Sequence, residues 1–177
     1  MNDAIHSPDI AYLGNAGLVL LHPFLPVLFK RLNLVTGGDD GQPQLRGENA
    51  ARAVQLLQYL VDGRSDAPAP QLLLNKLLCG LEPGSPVPPV ELGEEERGLC
   101  DQLLVAVISQ WSALGKTSPE GLRKTFLQRE GRLQEDDAAC TLAVVRRPFD
   151  VLLSRLPWSL AVIRQPWMPA PLHVSWP

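Results

Sequence analysis

Apolar positions recur at helical spacing over roughly the first three quarters of the chain and alternate over the last quarter. Ala50, Ala53, Val54, Leu57, Leu60 and Val61 fall on one helical face, and Gly63 follows as a stop. Gln71–Leu78 reads as a short, very apolar helix ending near Gly80. The longest stripe is Leu99, Leu103, Val107 and Trp111, widened by Cys100, Leu104 and Ile108. It predicts a helix over 94–114. Glu94, Glu95 and Glu96 fall in the first turn, where the helix dipole favours negative charge, and Gly115 ends it. Ser118 then offers a cap with Pro119 at the first helical position, and Leu122 and Phe126 point inward before a stop near Gly131. Residues 15–35 are apolar but broken by Pro23 and Pro26. They predict two short helical pieces, with Pro23 opening the second. Residues 36–45 read as a flexible loop.

Beyond Gly131 the period changes. Thr141–Val145, Ser159–Arg164 and Leu172–Trp176 have strand character, with one or two helical turns over Phe149–Leu156 between them. The expectation is an α+β fold, mainly α-helical, with a small antiparallel β-sheet built from the C-terminal quarter. Residues 12–177 form a single globular domain, helical over 15–131 and sheet-forming over 140–177. Residues 1–11, without periodicity, are expected to be a flexible tail. Leu103, Leu104, Val107, Trp111, Phe126 and Phe149 are expected in the core.

Composition narrows the function. A net charge of −3, with both signs mixed along the chain, offers no basic stripe for nucleic acid and no charged surface for a membrane. The most apolar stretch, Ala16–Phe29, is too short to cross a bilayer and contains His22, Pro23 and Pro26. The acidic N-terminus does not fit a signal peptide. Three widely spaced cysteines, Cys79, Cys100 and Cys140, do not make a disulfide framework and read as buried reduced thiols. The 17 prolines enforce short, sharply ended helices.

Candidate chemistry is sparse. Gly115-Lys116-Thr117-Ser118 resembles the end of a phosphate-binding loop, but the required upstream glycine is Gln110 and the preceding segment reads as a helix, not a strand. A helix stop followed by a helix cap accounts for these residues. His6, His22 and His173 show no metal-ligand spacing. Glu135, Asp136 and Asp137 fall in a polar stretch that reads as a solvated loop. No nucleophile elbow or dinucleotide fingerprint occurs, so no catalytic, cofactor-binding or metal-binding residue is assigned. The aromatic C-terminal region is more informative. Trp158, Trp167, Met168 and Trp176 lie beside prolines at the ends of the expected strands. Large rings held this way either pack into the core or organise a protein-docking surface.

Several blocks, taken in order, carry a family resemblance. They are Asn15-Ala-Gly-Leu-Val-Leu-Leu-His22-Pro-Phe-Leu-Pro26, Arg52–Leu60, Leu74-Asn-Lys-Leu-Leu-Cys79-Gly80, Trp111, Thr117-Ser118 and Phe126-Leu-Gln-Arg-Glu-Gly131. Phe149-Asp-Val-Leu-Leu, Leu156-Pro-Trp-Ser, Gln165-Pro-Trp-Met168 and Val174-Ser-Trp176 complete the set. Together they resemble the C-terminal region of tape-measure proteins of contractile injection systems. The resemblance implies a structural, non-enzymatic protein of a phage-tail-like bacterial particle, without cofactor, that helps set tube length. The implied partners are inner-tube, baseplate or spike proteins, with homo-oligomerisation possible and neither nucleic acid bound nor membrane entered. It further implies assembly in the bacterial cytoplasm and final residence inside the tube. One departure matters: even wholly helical, the chain would reach only about 270 Å, and its prolines forbid that form. It therefore reads as an anchoring end, either a terminal piece of a longer protein or a short stand-alone relative. An adaptor or chaperone for tube components or effector cargo is the alternative, and an effector enzyme a third.

Overall fold

The computed structural model describes residues 9–38, 41–136 and 139–176. Strand β1 (Asp9–Leu13) leads into a 3-10 helix over Ala16–Phe24 and then helix α1 (Leu25–Arg31). Two short strands, β2 (Thr36–Gly37) and β3 (Pro43–Gln44), pair before the long helix α2 (Gly47–Asp62). A 3-10 turn over Ala69–Gln71 precedes α3 (Leu73–Leu78), and α4 (Glu94–Gln110) follows after a proline-rich stretch. Helix α5 (Pro119–Leu122) continues into a wider π-type turn over Arg123–Leu127. The rest is β4 (Gly131–Glu135), β5 (Cys140–Val144), a 3-10 helix over Pro148–Arg155, β6 (Val162–Ile163) and β7 (Leu172–Ser175).

The helix stops follow local chemistry. Gly63 takes φ 76°, a left-handed value that costs a Cβ-bearing residue energy, and its N–H bonds Tyr59 O at 2.8 Å. Ser118 Oγ accepts the Gly121 N–H at 3.0 Å, so the Ser-Pro start of α5 is capped as expected. Helix α4 ends at Gln110, earlier than its stripe predicted. Trp111 leaves helical geometry (φ −101°, ψ 79°), which drives its ring into the core. The first apolar segment is a 3-10 helix with Pro23 inside it, and it is Pro26, not Pro23, that occupies the first turn of the following α-helix.

The fold is α+β, but its sheet is larger and older in the chain than expected. Five strands run in the order β1-β4-β5-β7-β6. The β1–β4, β4–β5 and β6–β7 pairs are antiparallel, whereas β5 and β7 are parallel, so the sheet is mixed rather than antiparallel. The connection from Val144 to Leu172, containing a 3-10 helix, is long enough to return the chain to the starting end, as a parallel pair requires. Residues 9–13, partly assigned to a tail, form an edge strand. Their strand character is masked in the sequence because apolar Ile10 and Tyr12 face out, which erases the alternation. Strand β4 begins at Gly131, where a helix stop was expected, and the 159–164 segment contributes only Val162–Ile163.

Register fixes the two faces. Ala11, Leu133, Leu142 and Val174 share one row, with Leu13 and Val144 in the next, and this face packs on the helices. Ile10, Gln134, Thr141, His173 and Val162 form a row on the other face, beside Tyr12, Arg132, Ala143 and Ser175. The core is centred on α2, whose residues Ala53–Gln58 are all buried. Leu103, Leu104, Val107, Trp111 and Phe126 are buried as expected. Phe149 is not: it stays 40% exposed at the rim, edge-on to Phe126 at 5.7 Å. Its place in the first turn of the Pro148–Arg155 3-10 helix, in which only Asp150 is buried, keeps it at the edge of the core.

Candidate functional site

The C-terminal quarter closes over the first helices as a strap, and its tryptophans are the fastenings. Trp158 donates its indole N–H to Leu20 O at 2.9 Å and sets its ring edge-on to Phe24 at 5.2 Å. Trp167 donates to Leu78 O at 2.8 Å and lies 5.5 Å from Phe29. Met168 is buried. Between these points Gln165 Nε2 donates to His22 O at 2.8 Å, and His22 Nε2 is 2.8 Å from Ser159 O. Since a carbonyl only accepts, Nε2 carries the proton. Burial lowers the His22 pKa and favours this neutral form, against the opposing pull of the Ser159 bond. Long 3-10 helices are uncommon because their hydrogen bonds are poorly aligned. Here side chains from the strap bond the carbonyls of Leu20 and His22 in the Ala16–Phe24 helix. The strap passes so close to Gly80 that a Cβ there would overlap Trp167 O.

Trp176 belongs to a second joint. Its indole N–H donates to Asp150 Oδ2 at 2.9 Å. The same oxygen accepts Arg129 Nη1 at 2.7 Å and the Arg147 N–H at 3.0 Å. Arg129 and Asp150 side chains are each 2% exposed, so this is a fully buried ion pair. Arg129 also donates to Val145 O and Thr125 O, and its guanidinium lies within 6 Å of the Phe126, Phe149 and Trp176 rings. Burial alone would raise the Asp150 pKa. The hydrogen bonds from Arg129, Trp176 and Arg147, with the Arg129 charge, outweigh it and hold the carboxyl below its ordinary value.

A third joint is made of amides. Asn15 Nδ2 donates to Asn75 Oδ1 at 2.7 Å and to Gln58 Oε1 at 3.1 Å, while Asn75 Nδ2 donates to Val54 O at 3.1 Å. Gln58 Nε2 reaches Asp62 at 2.7 Å. All three amides are buried and tie the 3-10 entry, α2 and α3 together. Sequence reasoning assigned no role to Arg129, Asp150, Asn15, Gln58 or Asn75. Gln58 and Asn75 did carry a signal, since each is a polar residue inside an apolar helical run.

The remaining candidates are accounted for locally. Gly115, at φ 58°, follows a 3-10 turn rather than a strand, and Thr117 Oγ1 donates back to Leu114 O at 2.6 Å. Glu135 ends β4 and Asp136 Oδ1 accepts the Ala139 N–H, while Asp137 and His6 lie outside the described residues. Cys79, Cys100 and Cys140 are free thiols. Burial pushes Cys79 well above the ordinary thiol value, Cys100 to about 12 and Cys140 to about 11. Among the described residues no group of three His, Cys, Asp or Glu is placed to hold a metal, and no helix is long and apolar enough to cross a membrane.

A family model described as contractile injection system tape measure protein matches residues 2–176. The chain belongs to this family. No curated protein and no solved structure matches it. In this tape measure protein the joints bring the separate sequence blocks together. Asn15, Gln58 and Asn75 come from three of them and meet; Arg129, Asp150 and Trp176 come from three more and meet. His22, Trp158, Gln165 and Trp167 fasten the strap. In this chain, blocks far apart in sequence therefore meet through buried polar contacts, and the family to which the chain belongs is described as tape measure proteins of contractile injection systems.

Proposed function

We propose that this chain is the globular C-terminal region of a tape measure protein, anchoring within the tube or baseplate of a contractile injection particle and helping to set tube length. One observation carries the reading. The longest helix, Glu94–Gln110, rises only about 26 Å, and segments far apart in sequence are cross-tied by buried side chains. Such a body suits the anchored end of a ruler rather than its measuring rod. Its partners are then inner-tube, baseplate or spike proteins. It assembles in the bacterial cytoplasm and ends inside the particle. The docking surface is proposed around Trp158, Trp167, Met168 and Trp176. The three indole N–H groups are already bonded within the fold, so contact with a partner would use the ring edges and their exposed neighbours.

Quantitative mass spectrometry of purified particles tests the reading. An anchor is retained in a few copies per particle. Absence from finished particles, with the chain bound to tube subunits or cargo before assembly, would replace it by an adaptor or chaperone role.

A further inference from the structure

β1 is the edge strand of the five-stranded sheet, hydrogen-bonded on one side to β4. Among the described residues its other side receives no backbone hydrogen bond. Proteins usually blunt such an edge with lysine, proline, a bulge or a covering loop. Asp9–Leu13 contains no Lys, Arg, Pro or Gly, and its register with β4 runs unbroken over all five residues. Ile10 and Tyr12 project from the outer face, 46% and 81% exposed, and Val145 and Val162 are exposed on the same face. On that face the parallel β5–β7 pair exposes His173 and Ser175, although parallel strands are ordinarily covered on both sides.

We propose that β1 pairs antiparallel with β1 of a second copy of this chain, about a two-fold axis at Ala11. The sequence of the strand selects that partner and that register. Pairing centred on Ala11 sets Ile10 opposite the partner's Tyr12 and Tyr12 opposite the partner's Ile10. Each is an aromatic–β-branched pair of the kind that stabilises neighbouring strands. Opposed residues then differ by an even number of positions, so outward-pointing backbone groups meet outward-pointing groups. The two sheets continue with their outer faces on the same side. Asp9 faces the partner's Leu13, which keeps the two acids at opposite ends of the ladder. Centring on Ile10 would oppose Tyr12 to the partner's Pro8, which has no N–H for the ladder, and centring on Tyr12 would oppose Ile10 to the partner's Gly14. Both shorten the ladder. A five-residue ladder is a small contact, below the roughly 1,200 Å² that marks the weaker class of interfaces. The dimer therefore forms at high concentration. The inference is independent of where in a particle the protein acts.

Sedimentation velocity on the full chain, from micromolar to millimolar, tests it. The wild type is expected to pass from monomer to dimer, and a monomer at every concentration overturns the proposal. Ile10→Lys with Tyr12→Lys opposes like charges at both pairs and is expected to weaken association by about tenfold or more. Ile10→Glu with Tyr12→Lys opposes unlike charges at the same two places and is expected to recover it at low salt. Thermal melting checks that both variants remain folded, which the exposure of these side chains favours. A dimer unaffected by the Lys pair means that another surface is used. Failure of the Glu–Lys pair to recover association refutes the register. Mixing the Lys pair with a variant carrying Ile10→Glu and Tyr12→Glu is expected to give a heterodimer, and its absence counts equally against the pairing.

Discussion

Asp150→Asn is the sharpest probe of the joint that closes the fold. The substitution keeps the shape of the side chain and removes its charge. Arg129, 2% exposed, then loses its buried counter-charge at 2.7 Å while keeping Val145 O and Thr125 O as acceptors. Breaking one side of a buried pair typically costs 3–5 kcal/mol, and the two remaining carbonyls place this case at the lower end, about 3 kcal/mol. Trp176→Phe keeps a ring beside the guanidinium and deletes only the N–H, so it costs about 1 kcal/mol. Arg129→Met leaves Asp150 with the Trp176 and Arg147 donors and is expected to cost about as much as Asp150→Asn. Arg129→Met with Asp150→Asn should cost less than the two singles together, by about 1–3 kcal/mol. Urea unfolding with linear extrapolation measures all four. The pH dependence gives a second reading. The folded Asp150 pKa is depressed, so its contribution is present above the unfolded value of about 3.9 and is lost as pH falls through the lower folded value. The gap between wild type and Asp150→Asn should therefore close in that acid window. Additive single changes, or a cost for Asp150→Asn within about 0.5 kcal/mol of zero, would refute the account of the joint.

Trp111→Ala removes a fully buried ring and the donor to Leu152 O, and should cost about 3–5 kcal/mol in the same assay. Gly17→Ala places a Cβ onto Phe126 O where the 3-10 entry crosses the π-type turn; the backbone must move, and a loss of about 3 kcal/mol or more in chemical denaturation is expected. ATP and GTP should leave the melting temperature unchanged, whereas a bound ligand at a hundred times its dissociation constant would add about 2.7 kcal/mol; nucleotide protection abolished by Lys116→Ala would contradict the helix-stop reading of Gly115–Ser118. Melting temperature and particle yield for Trp158→Ala, Trp167→Ala and Trp176→Ala together test the docking surface: a folded variant with reduced yield supports it, and variants that either unfold or assemble normally refute it.

Elements whose signals are local were legible along the chain. Helical spacing placed α2, α3 and the body of α4. Ser118-Pro119 and Gly63 marked a start and a stop through backbone chemistry that acts within a few residues. A short β-type run placed β5, alternation placed β7, and the order of short motif blocks carried the family. The remaining features depend on pairing over long distances and exist only in the folded chain. The parallel β5–β7 contact and the recruitment of Asp9–Leu13 and Gly131–Glu135 to the sheet are properties of register between segments, which no window along the chain contains. The 40% exposure of Phe149 depends on how closely distant elements pack around it. The Arg129–Asp150 pair spans 21 residues and the Trp158–Leu20 bond 138. A charged or polar residue reads as surface in a sequence. It becomes a buried joint only when folding delivers its partner, because burial without that partner costs more than the surrounding core returns.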